Sequence, residues 1–308
     1  MKSFLFPGQA SQYVGMGSDL YNNFPIAQEY FDKADDILQL DLKNACFNGP
    51  DEKLVRTEYT QPAIFTHSVI IDVLLKKAGI KPDIAAGHSL GEYSALVSAG
   101  VFSFEEGLKA VGLRSRLMQK CCDDNPGTMA AIIGLTLDQV NEVIKDIDDV
   151  VPANFNSPAQ TAISGVKKAV ETACGRLKEN GAKKTIMLAV GGAYHSPLMK
   201  HAKDEMTDFI ETLKFNKFAF PVIANVSAQP VDDPATMKQL LCEQITSPVL
   251  WHPTIEKMYD MGVEDFYEIG PGKVLLGLLK RSSKGKQYTG IGVDSIKHLE
   301  NITGVKVE

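Results

Sequence analysis

A serine between two glycines, with a histidine directly before it, is the first feature of the sequence that could do chemistry. Residues 85–92 read Ala-Ala-Gly-His-Ser-Leu-Gly-Glu and contain the pattern G-x-S-x-G around Ser89. The pattern is typical of a strand-to-helix turn that presents a nucleophilic hydroxyl, because small neighbours let backbone and substrate approach closely. Serine and glycine are also common in ordinary turns, so the hypothesis of a nucleophile needs independent support.

A serine hydroxyl is a weak nucleophile and needs a general base, for which His195 is the best candidate. It lies in residues 191–197, Gly-Gly-Ala-Tyr-His-Ser-Pro, directly before a predicted helix. Ser196 can cap that helix, and Pro197 suits its first position. The positive end of the helix is expected to favour the neutral imidazole that a general base requires. Spacing along the chain does not show whether His195 reaches Ser89.

The other five histidines are weaker candidates for the base. His88 neighbours the serine and is expected to project to the other side of the turn, where it would shape the pocket. The remaining four are interpreted as structural: His67, His201, His252 and His298.

Arg114 is a candidate for binding an anion. Residues 103–106 have the form of a capping box, which predicts that a helix begins there. Apolar residues at spacings of three and four place Arg114 on the inward face of this helix, whereas Arg116 points outward. A buried guanidinium without a partner is costly, so Arg114 either pairs with an internal carboxylate or binds an anionic ligand. Its planar fork matches a carboxylate through two parallel hydrogen bonds.

Alternating strand and helix patterns must position these residues, and they predict an α/β fold with a largely parallel sheet. The predicted strands are at residues 3–6, 83–86, 222–225 and, as the last strand, 265–268. The predicted helices cover residues 21–38, 61–78, 92–97 and 197–213. The strand at 83–86 therefore leads into the serine turn and the helix at 92–97, the order that the G-x-S-x-G pattern requires.

A second pattern begins after the turn-rich residues 123–127. Strand, helix, strand, strand, helix and strand are predicted in that order at residues 129–133, 137–147, 151–154, 161–164, 169–180 and 185–190. This βαββαβ order is typical of ferredoxin-like folds. We therefore predict a small inserted domain at residues 127–191, and a larger discontinuous domain formed by residues 1–126 and 192–308.

Composition narrows the class of protein. No apolar run approaches the roughly 20 residues of a membrane span, and no leader peptide is evident, so we expect a cytoplasmic protein with no membrane association. Five cysteines without framework spacing indicate free thiols. A net charge of −6 argues against nucleic-acid binding. Residues 280–286 are locally basic. We interpret this segment either as a solvated loop or as a docking patch for an acidic partner.

Taken together, the motifs resemble the malonyl-CoA:acyl carrier protein transacylases, the acyltransferase family of fatty-acid and polyketide synthesis. The resemblance covers nearly the whole chain, through residues 6–12, 60–63, 87–92, 114, 154–158, 193–199, 244–251 and 268–273. One departure is Ala10, where the family usually has glycine in F-P-G-Q-G-S-Q. Gln9 itself is in place.

The resemblance implies a larger α/β hydrolase-like domain with a parallel sheet, a ferredoxin-like small domain, and an active site in the cleft between them. It implies that Ser89 is the nucleophile and His195 the base. The family needs no acidic third residue, because a carbonyl orients the histidine, and that carbonyl maps onto the backbone of Gln244. The backbone N–H groups of Gln9 and Leu90 would form the oxyanion hole.

The implied reaction is a ping-pong transfer of malonyl from malonyl-CoA, through a malonyl-serine ester, to the 4'-phosphopantetheine thiol of an acyl carrier protein. Arg114 would hold the malonyl carboxylate. No cofactor and no metal are expected, and a monomer is the family default. Carrier proteins of this kind are acidic, which suggests docking on the basic side chains of residues 280–286, namely Lys280, Arg281, Lys284 and Lys286.

Two other functions remain open. A serine hydrolase or thioesterase would pass the acyl group to water, but an α/β-hydrolase normally places its histidine near the carboxyl end, and here the candidate is His195. A non-enzymatic carrier-docking domain should have lost Ser89, His195 or Arg114, and all three are present. A nucleotide-binding loop at residues 270–274 is excluded, because Tyr267 and Val274 stand where glycine and Ser or Thr are required.

Overall fold

The computed structural model describes residues 1–304, which form two β-sheets with helices packed against them. Within those residues the ten strands are β1 Lys2–Phe6, β2 Ile84–Gly87, β3 Gly127–Ile133, β4 Val150–Ser157, β5 Gln160–Val166, β6 Lys184–Met187, β7 Val222–Ile223, β8 Pro230–Val231, β9 Asp265–Ile269 and β10 Thr289–Val293. None of the helices in this part of the chain combines the length and the apolar character needed to cross a membrane.

The described residues form fourteen α-helices. These are α1 Ser18–Asn23, α2 Pro25–Leu38, α3 Leu42–Asn48, α4 Asp51–Leu54, α5 Thr57–Lys77, α6 Gly91–Ser98, α7 Phe104–Asp124, α8 Leu137–Ile144, α9 Lys167–Glu179, α10 Lys200–Thr212, α11 Pro234–Glu243, α12 Trp251–Asp260, α13 Val274–Ser282 and α14 Ile296–Thr303. Two short 3-10 turns, at Pro197–Met199 and Gln244–Thr246, precede α10 and follow α11.

The larger sheet has the strand order β10-β9-β1-β2-β7-β8, and every neighbouring pair is parallel except β7 and β8. Its faces bury different side chains: Phe4 and Phe6 belong to one apolar core and Leu5 to another. Burial on both faces is what a parallel sheet with crossover helices requires. In this register Phe6 pairs with Gly87, so the carboxyl ends of β1 and β2 lie side by side. Open α/β sheets bind their ligands at that edge.

The smaller sheet is antiparallel, with the strand order β4-β5-β3-β6. Helices α8 and α9 pack on it around a separate apolar core that includes Ile132, Val140, Ile163 and Leu177. Together with the larger sheet, this βαββαβ unit confirms the predicted α/β class with a ferredoxin-like part. All four strands and both helices lie between residues 127 and 187. The exact domain boundaries at 126 and 192 remain predictions.

Three predicted elements differ from the structure. The helix predicted at 21–38 is two helices, because Phe24 is extended (φ −126°, ψ 120°) before Pro25, and a residue that precedes proline is disfavoured in the helical region. The helix predicted at 197–213 begins as a 3-10 turn. The strand at 265–268 is not the last, since β10 follows it. Residue types do not predict β10, because it contains Gly290 and Gly292 and glycine is depleted in strands.

Candidate active site

Ser89 lies in the turn between β2 and α6, and the close backbone contacts of this turn require the glycines at 87 and 91. Its φ of 52° is in the left-handed region, which non-glycine residues adopt only at a cost. A Cβ atom on Gly87 would lie 1.9 Å from the carbonyl carbon of Gly91, and one on Gly91 would lie 2.1 Å from the carbonyl oxygen of Phe6. Neither position accepts a side chain, so the glycines are required for the turn to pack against β1.

We expect Gly91→Ala to lower the free energy of unfolding by about 3 kcal/mol or more, because the new methyl group overlaps the backbone of β1. The matched control is Gly175→Ala in α9, where a new Cβ meets no atom within 4 Å. Alanine is the better helix former there and should stabilise the protein by about 0.5 to 1 kcal/mol. Urea denaturation of both variants makes the comparison. A Gly91→Ala protein as stable as the wild type would contradict the packing described above.

His195 lies within hydrogen-bonding distance of Ser89, although 106 residues separate them in the sequence. The distance from Ser89 Oγ to His195 Nε2 is 2.7 Å. On the other side of the ring, Nδ1 lies 3.1 Å from the backbone oxygen of Gln244 and 3.0 Å from that of Ser247. Carbonyl oxygens only accept, so Nδ1 carries the proton and Nε2 is left to accept the proton of the serine hydroxyl. This is the arrangement of a nucleophile, a base and an orienting group.

The imidazole of His195 is held in its neutral form. Burial lowers the pKa of His195 to about 3, with further lowering by Arg114 and His88. The sequence predicted this neutral state from the end of the following helix. The structure shows a stronger cause, since the ring is only 3% exposed and a buried imidazolium would lose its hydration.

Arg114 is completely buried and touches the serine hydroxyl. Its Nη1 donates to Gln61 Oε1 (2.7 Å), and its Nη2 donates to Gln244 Oε1 and to Ser89 Oγ (both 3.0 Å). Its Nε has no partner, and no carboxylate of residues 1–304 lies within ion-pair distance of the guanidinium. The hydrogen-bond partners of Arg114 in the described residues are thus neutral, and Glu92 acts on it only from a distance. Three of its five N–H groups are used, which leaves two for a ligand.

The loop after β1 and the start of α6 meet beside Ser89. A Cβ atom on Gly8 would lie 2.4 Å from the backbone oxygen of His88, so the two segments are in close contact. Among residues 1–304, the backbone N–H groups of Gln9 and Leu90 donate no hydrogen bond. Ala10, where the resembling family has glycine, adopts a φ of 81°, a conformation that suits glycine better.

A cleft of about 450 Å³ lies between the two sheets, with the serine and the histidine on its wall. His88 also faces it and contacts the smaller sheet, because its Nε2 lies 2.9 Å from Asn156 Oδ1. The opposite wall is mostly apolar and includes Met129, Ala131, Ala162 and Leu188. In the part of the chain that the structure describes, no three His, Cys, Asp or Glu side chains are grouped to hold a metal ion.

The basic residues predicted for docking lie beside this cleft, at the end of α13 and just after it. Lys280, Lys284 and Lys286 are exposed. Arg281 lines the cleft, and its Nη1 donates to Gln160 Oε1 of the smaller sheet over 2.6 Å. Arg281 therefore ties this segment to the edge of the cleft.

Comparison with known proteins agrees with this geometry. Residues 3–300 match the family model described as the acyl transferase domain. The chain belongs to the acyl transferase family.

Several relatives of this acyltransferase are named more specifically. It is 43% identical, over 92% of this chain and 90% of the relative, to the malonyl CoA-acyl carrier protein transacylase of Bacillus subtilis (strain 168). It superimposes with a TM-score of 0.92 on an acyl carrier protein S-malonyltransferase from Vibrio cholerae (42% identity, 98% and 99% of the two chains). A TM-score of 0.94 relates it to a malonyl-transacylase solved in complex with its type II PKS acyl-carrier protein (38% identity, 98% and 99%).

Two groups in the acyltransferase site were not singled out from the sequence. The Asn225 side chain accepts from the backbone N–H of Ser89 (2.7 Å) and donates to the backbone oxygen of Gly87 (2.6 Å). Glu92 is buried in α6, where it accepts hydrogen bonds from Asn225 and Gln244. The position of Glu92 directly after the G-x-S-x-G pattern was the one signal in the sequence that could have identified it. No pattern in the sequence around Asn225 indicates a role in the site.

The acyltransferase should keep His195 unprotonated in mild acid. Because burial holds its pKa near 3, the imidazole does not take up a proton when the pH falls through 6.5, the usual value. We expect its Cε1–H signal in two-dimensional NMR to show none of the large downfield shift that imidazolium formation produces between about pH 8 and pH 5. The spectrum of His195→Ala assigns the signal, and a titration midpoint near 6.5 would contradict the neutral base.

Proposed function

We propose that this acyltransferase moves the malonyl group of malonyl-CoA to the phosphopantetheine thiol of an acyl carrier protein. The observation that carries the proposal is the contact of Ser89 Oγ with both His195 and Arg114, which joins an activated hydroxyl to a buried cation. A serine hydrolase also requires the contact between Ser89 and His195. The contact between Ser89 and Arg114 is what an enzyme that recognises a carboxylated acyl chain requires in addition. The names of the relatives support the same reaction.

In the first half-reaction, Ser89 Oγ attacks the thioester carbonyl carbon while its proton moves to His195 Nε2. The tetrahedral intermediate then collapses, the carbon–sulfur bond breaks, and the coenzyme A thiolate takes the proton from His195. A malonyl ester of Ser89 remains. In the second half-reaction the carrier thiol attacks this ester, with His195 again accepting a proton and returning it to the serine oxygen.

The charge that develops on the carbonyl oxygen needs hydrogen-bond donors. The backbone N–H groups of Gln9 and Leu90, which have no partner in the described residues, are the proposed oxyanion hole. They lie on two different segments that the close contact at Gly8 holds together. One such donor is worth on the order of 10² to 10³ in rate.

Arg114 is the proposed partner of the malonyl carboxylate. Its Nη2 contacts Ser89 Oγ on the wall of the cleft, so a short acyl chain on that oxygen would bring its terminal carboxylate beside the guanidinium. An acetyl group brings no acceptor, so the guanidinium would stay incompletely paired in a buried site. The expected preference for malonyl over acetyl follows from that difference.

The proposed docking surface for the carrier consists of Lys280, Arg281, Lys284 and Lys286. We expect the double variant Lys280→Glu/Lys284→Glu to raise KM for the carrier by about tenfold or more, because like charges then face an acidic partner. The rate of serine acylation by malonyl-CoA should be unchanged, and rising salt should weaken the wild-type carrier interaction. The control is Lys168→Glu/Lys178→Glu on α9, in the smaller sheet's helical layer. Equal effects of both double variants would remove this surface from the proposal.

Intact-protein mass spectrometry tests the proposed function. Brief exposure of the protein to malonyl-CoA should give a malonyl-sized adduct that moves to a phosphopantetheinylated carrier when one is added. An adduct that disappears equally fast without the carrier would indicate a hydrolase. The absence of any adduct would favour a non-catalytic docking protein.

A further inference from the structure

We infer that Glu92 is a positioning residue for this reaction: its buried carboxylate accepts from the backbone N–H of Asn225 and from the side-chain amide of Gln244, and the side chains of these two residues hold the Ser89 turn. The inference rests on the proposed function of Ser89 as the nucleophile. Glu92 does not touch the proposed substrate and acts only through Asn225 and Gln244.

The side-chain amides of Asn225 and Gln244 hold the backbone of Ser89 on both sides. Its N–H donates to Asn225 Oδ1 (2.7 Å), and its carbonyl oxygen accepts from Gln244 Nε2 (2.8 Å). Asn225 and Gln244 are 136 and 155 residues away from the serine in the sequence. Glu92 joins them, because its Oε1 accepts from the backbone N–H of Asn225 (2.9 Å) and its Oε2 accepts from Gln244 Nε2 (2.5 Å).

The direction of every hydrogen bond in this network is determined. Arg114 has only donors, so the Gln244 atom that it contacts must be the amide oxygen. The Ser89 carbonyl has only acceptors, so the other Gln244 atom must be the nitrogen. Both partners of Glu92 are therefore donors, and both of its oxygens must accept. An ionised carboxylate meets that requirement with both oxygens, whereas protonation weakens one oxygen as an acceptor and an amide nitrogen would face a donor with another donor.

The turn needs this support because its conformation is unfavourable. Ser89 adopts a φ of 52°, and a strained residue keeps such a geometry only when its surroundings restrain it. The same Gln244 also accepts from His195 Nδ1 through its backbone oxygen and from Arg114 through its side chain. Loss of the Glu92 carboxylate would therefore loosen the nucleophile and disturb the orientation of its two partners.

Protonation of Glu92 should act on the reaction in the same way as its removal. Burial raises the pKa of Glu92 to about 7, and the charge of Arg114 and the two donors oppose that rise. Tyr93, the next residue of α6, also interacts electrostatically with Glu92, and burial raises the pKa of Tyr93 above its usual value of 10. Burial lowers the pKa of His195 to about 3 and lowers the pKa of His88 below 6.5, so both histidines of the cleft titrate below Glu92. A decline of the acylation rate below about pH 7 is therefore assigned to Glu92.

The test is single-turnover acylation of the full chain by malonyl-CoA, followed by rapid quenching and intact mass spectrometry. We expect Glu92→Gln to acylate about 10 to 100 times more slowly than the wild type, with KM for malonyl-CoA changed less than about threefold. The wild-type rate should fall as the pH drops below about 7, and the rate of Glu92→Gln should be flat over that range.

Glu268 provides the matched control. Its side chain is also buried, its pKa is also raised to about 7 by burial, and it accepts from two backbone N–H groups, those of Leu275 and Leu276. Glu268→Gln should lose thermal stability while its acylation rate stays within about twofold of the wild type and keeps the wild-type pH profile.

The possible failures are distinguishable. Acylation by Glu92→Gln within threefold of the wild type, or an equal loss of rate in Glu268→Gln, would overturn the inference. The wild-type pH profile tests it without any substitution, so a rate that is flat from about pH 5.5 to pH 8 would also overturn it. An absence of any malonyl adduct on the wild type would instead overturn the proposed function.

Discussion

Ser89→Ala is expected to abolish the covalent malonyl adduct and to lower the rate of malonyl transfer by about 10⁴-fold or more. The hydroxyl is the only group at this position that can both attack the thioester and hold the acyl group as an ester. Its removal leaves His195 Nε2 without the hydroxyl whose oxygen lies 2.7 Å away. Intact mass spectrometry reports the adduct, and a coupled assay of coenzyme A release reports the rate.

The matched control is Ser94→Ala in the same helix, α6. Ser94 is fully buried, and in the described part of the chain its Oγ has no hydrogen-bond partner. Removing that hydroxyl should leave the adduct in place and the rate within about twofold of the wild type. A malonyl adduct that persists in Ser89→Ala would show that another residue is the nucleophile.

Arg114→Ala is expected to remove the preference for malonyl over acetyl groups. We expect kcat/KM for malonyl-CoA to fall by about 10² to 10³, because a buried charged partner of this kind is worth about 2 to 5 kcal/mol. Acetyl-CoA makes no ion pair with the guanidinium, so its kcat/KM should change by less than about tenfold. Parallel steady-state measurements with the two thioesters give the ratio directly.

Arg116→Ala is the control for that substitution, because Arg116 lies on the exposed face of the same helix, α7. It should leave both specificity constants within about twofold of the wild type. An equal loss of malonyl and acetyl transfer in Arg114→Ala would mean that Arg114 serves mainly to hold Gln61 and Gln244 in place.

Much of the fold could be predicted because its evidence is local. The serine turn is marked by glycines that no other residue could replace, and the capping box at Ser103 marks the start of α7, where both of its hydrogen bonds form. The alternation of strands and helices indicated both sheets. Prediction failed where local signals were weak or misread, at the break before Pro25 and at the glycine-containing strand β10.

The sequence by itself determined the type of chemistry: a serine in a G-x-S-x-G turn between a strand and a helix, a histidine before a helix start, and an arginine on the inward face of a helix. These depend on residue type and on spacing within a few positions, which a linear sequence displays. Only the tertiary structure decided which groups meet.

The contacts of Ser89 with His195 and Arg114, and the support from Glu92 through Asn225 and Gln244, join segments as far apart as 155 residues. Such contacts follow from the register of parallel strands, which places the ends of β1 and β2 together, and from the packing of helices on the sheet. Those are properties of the assembled chain, and no short segment carries them.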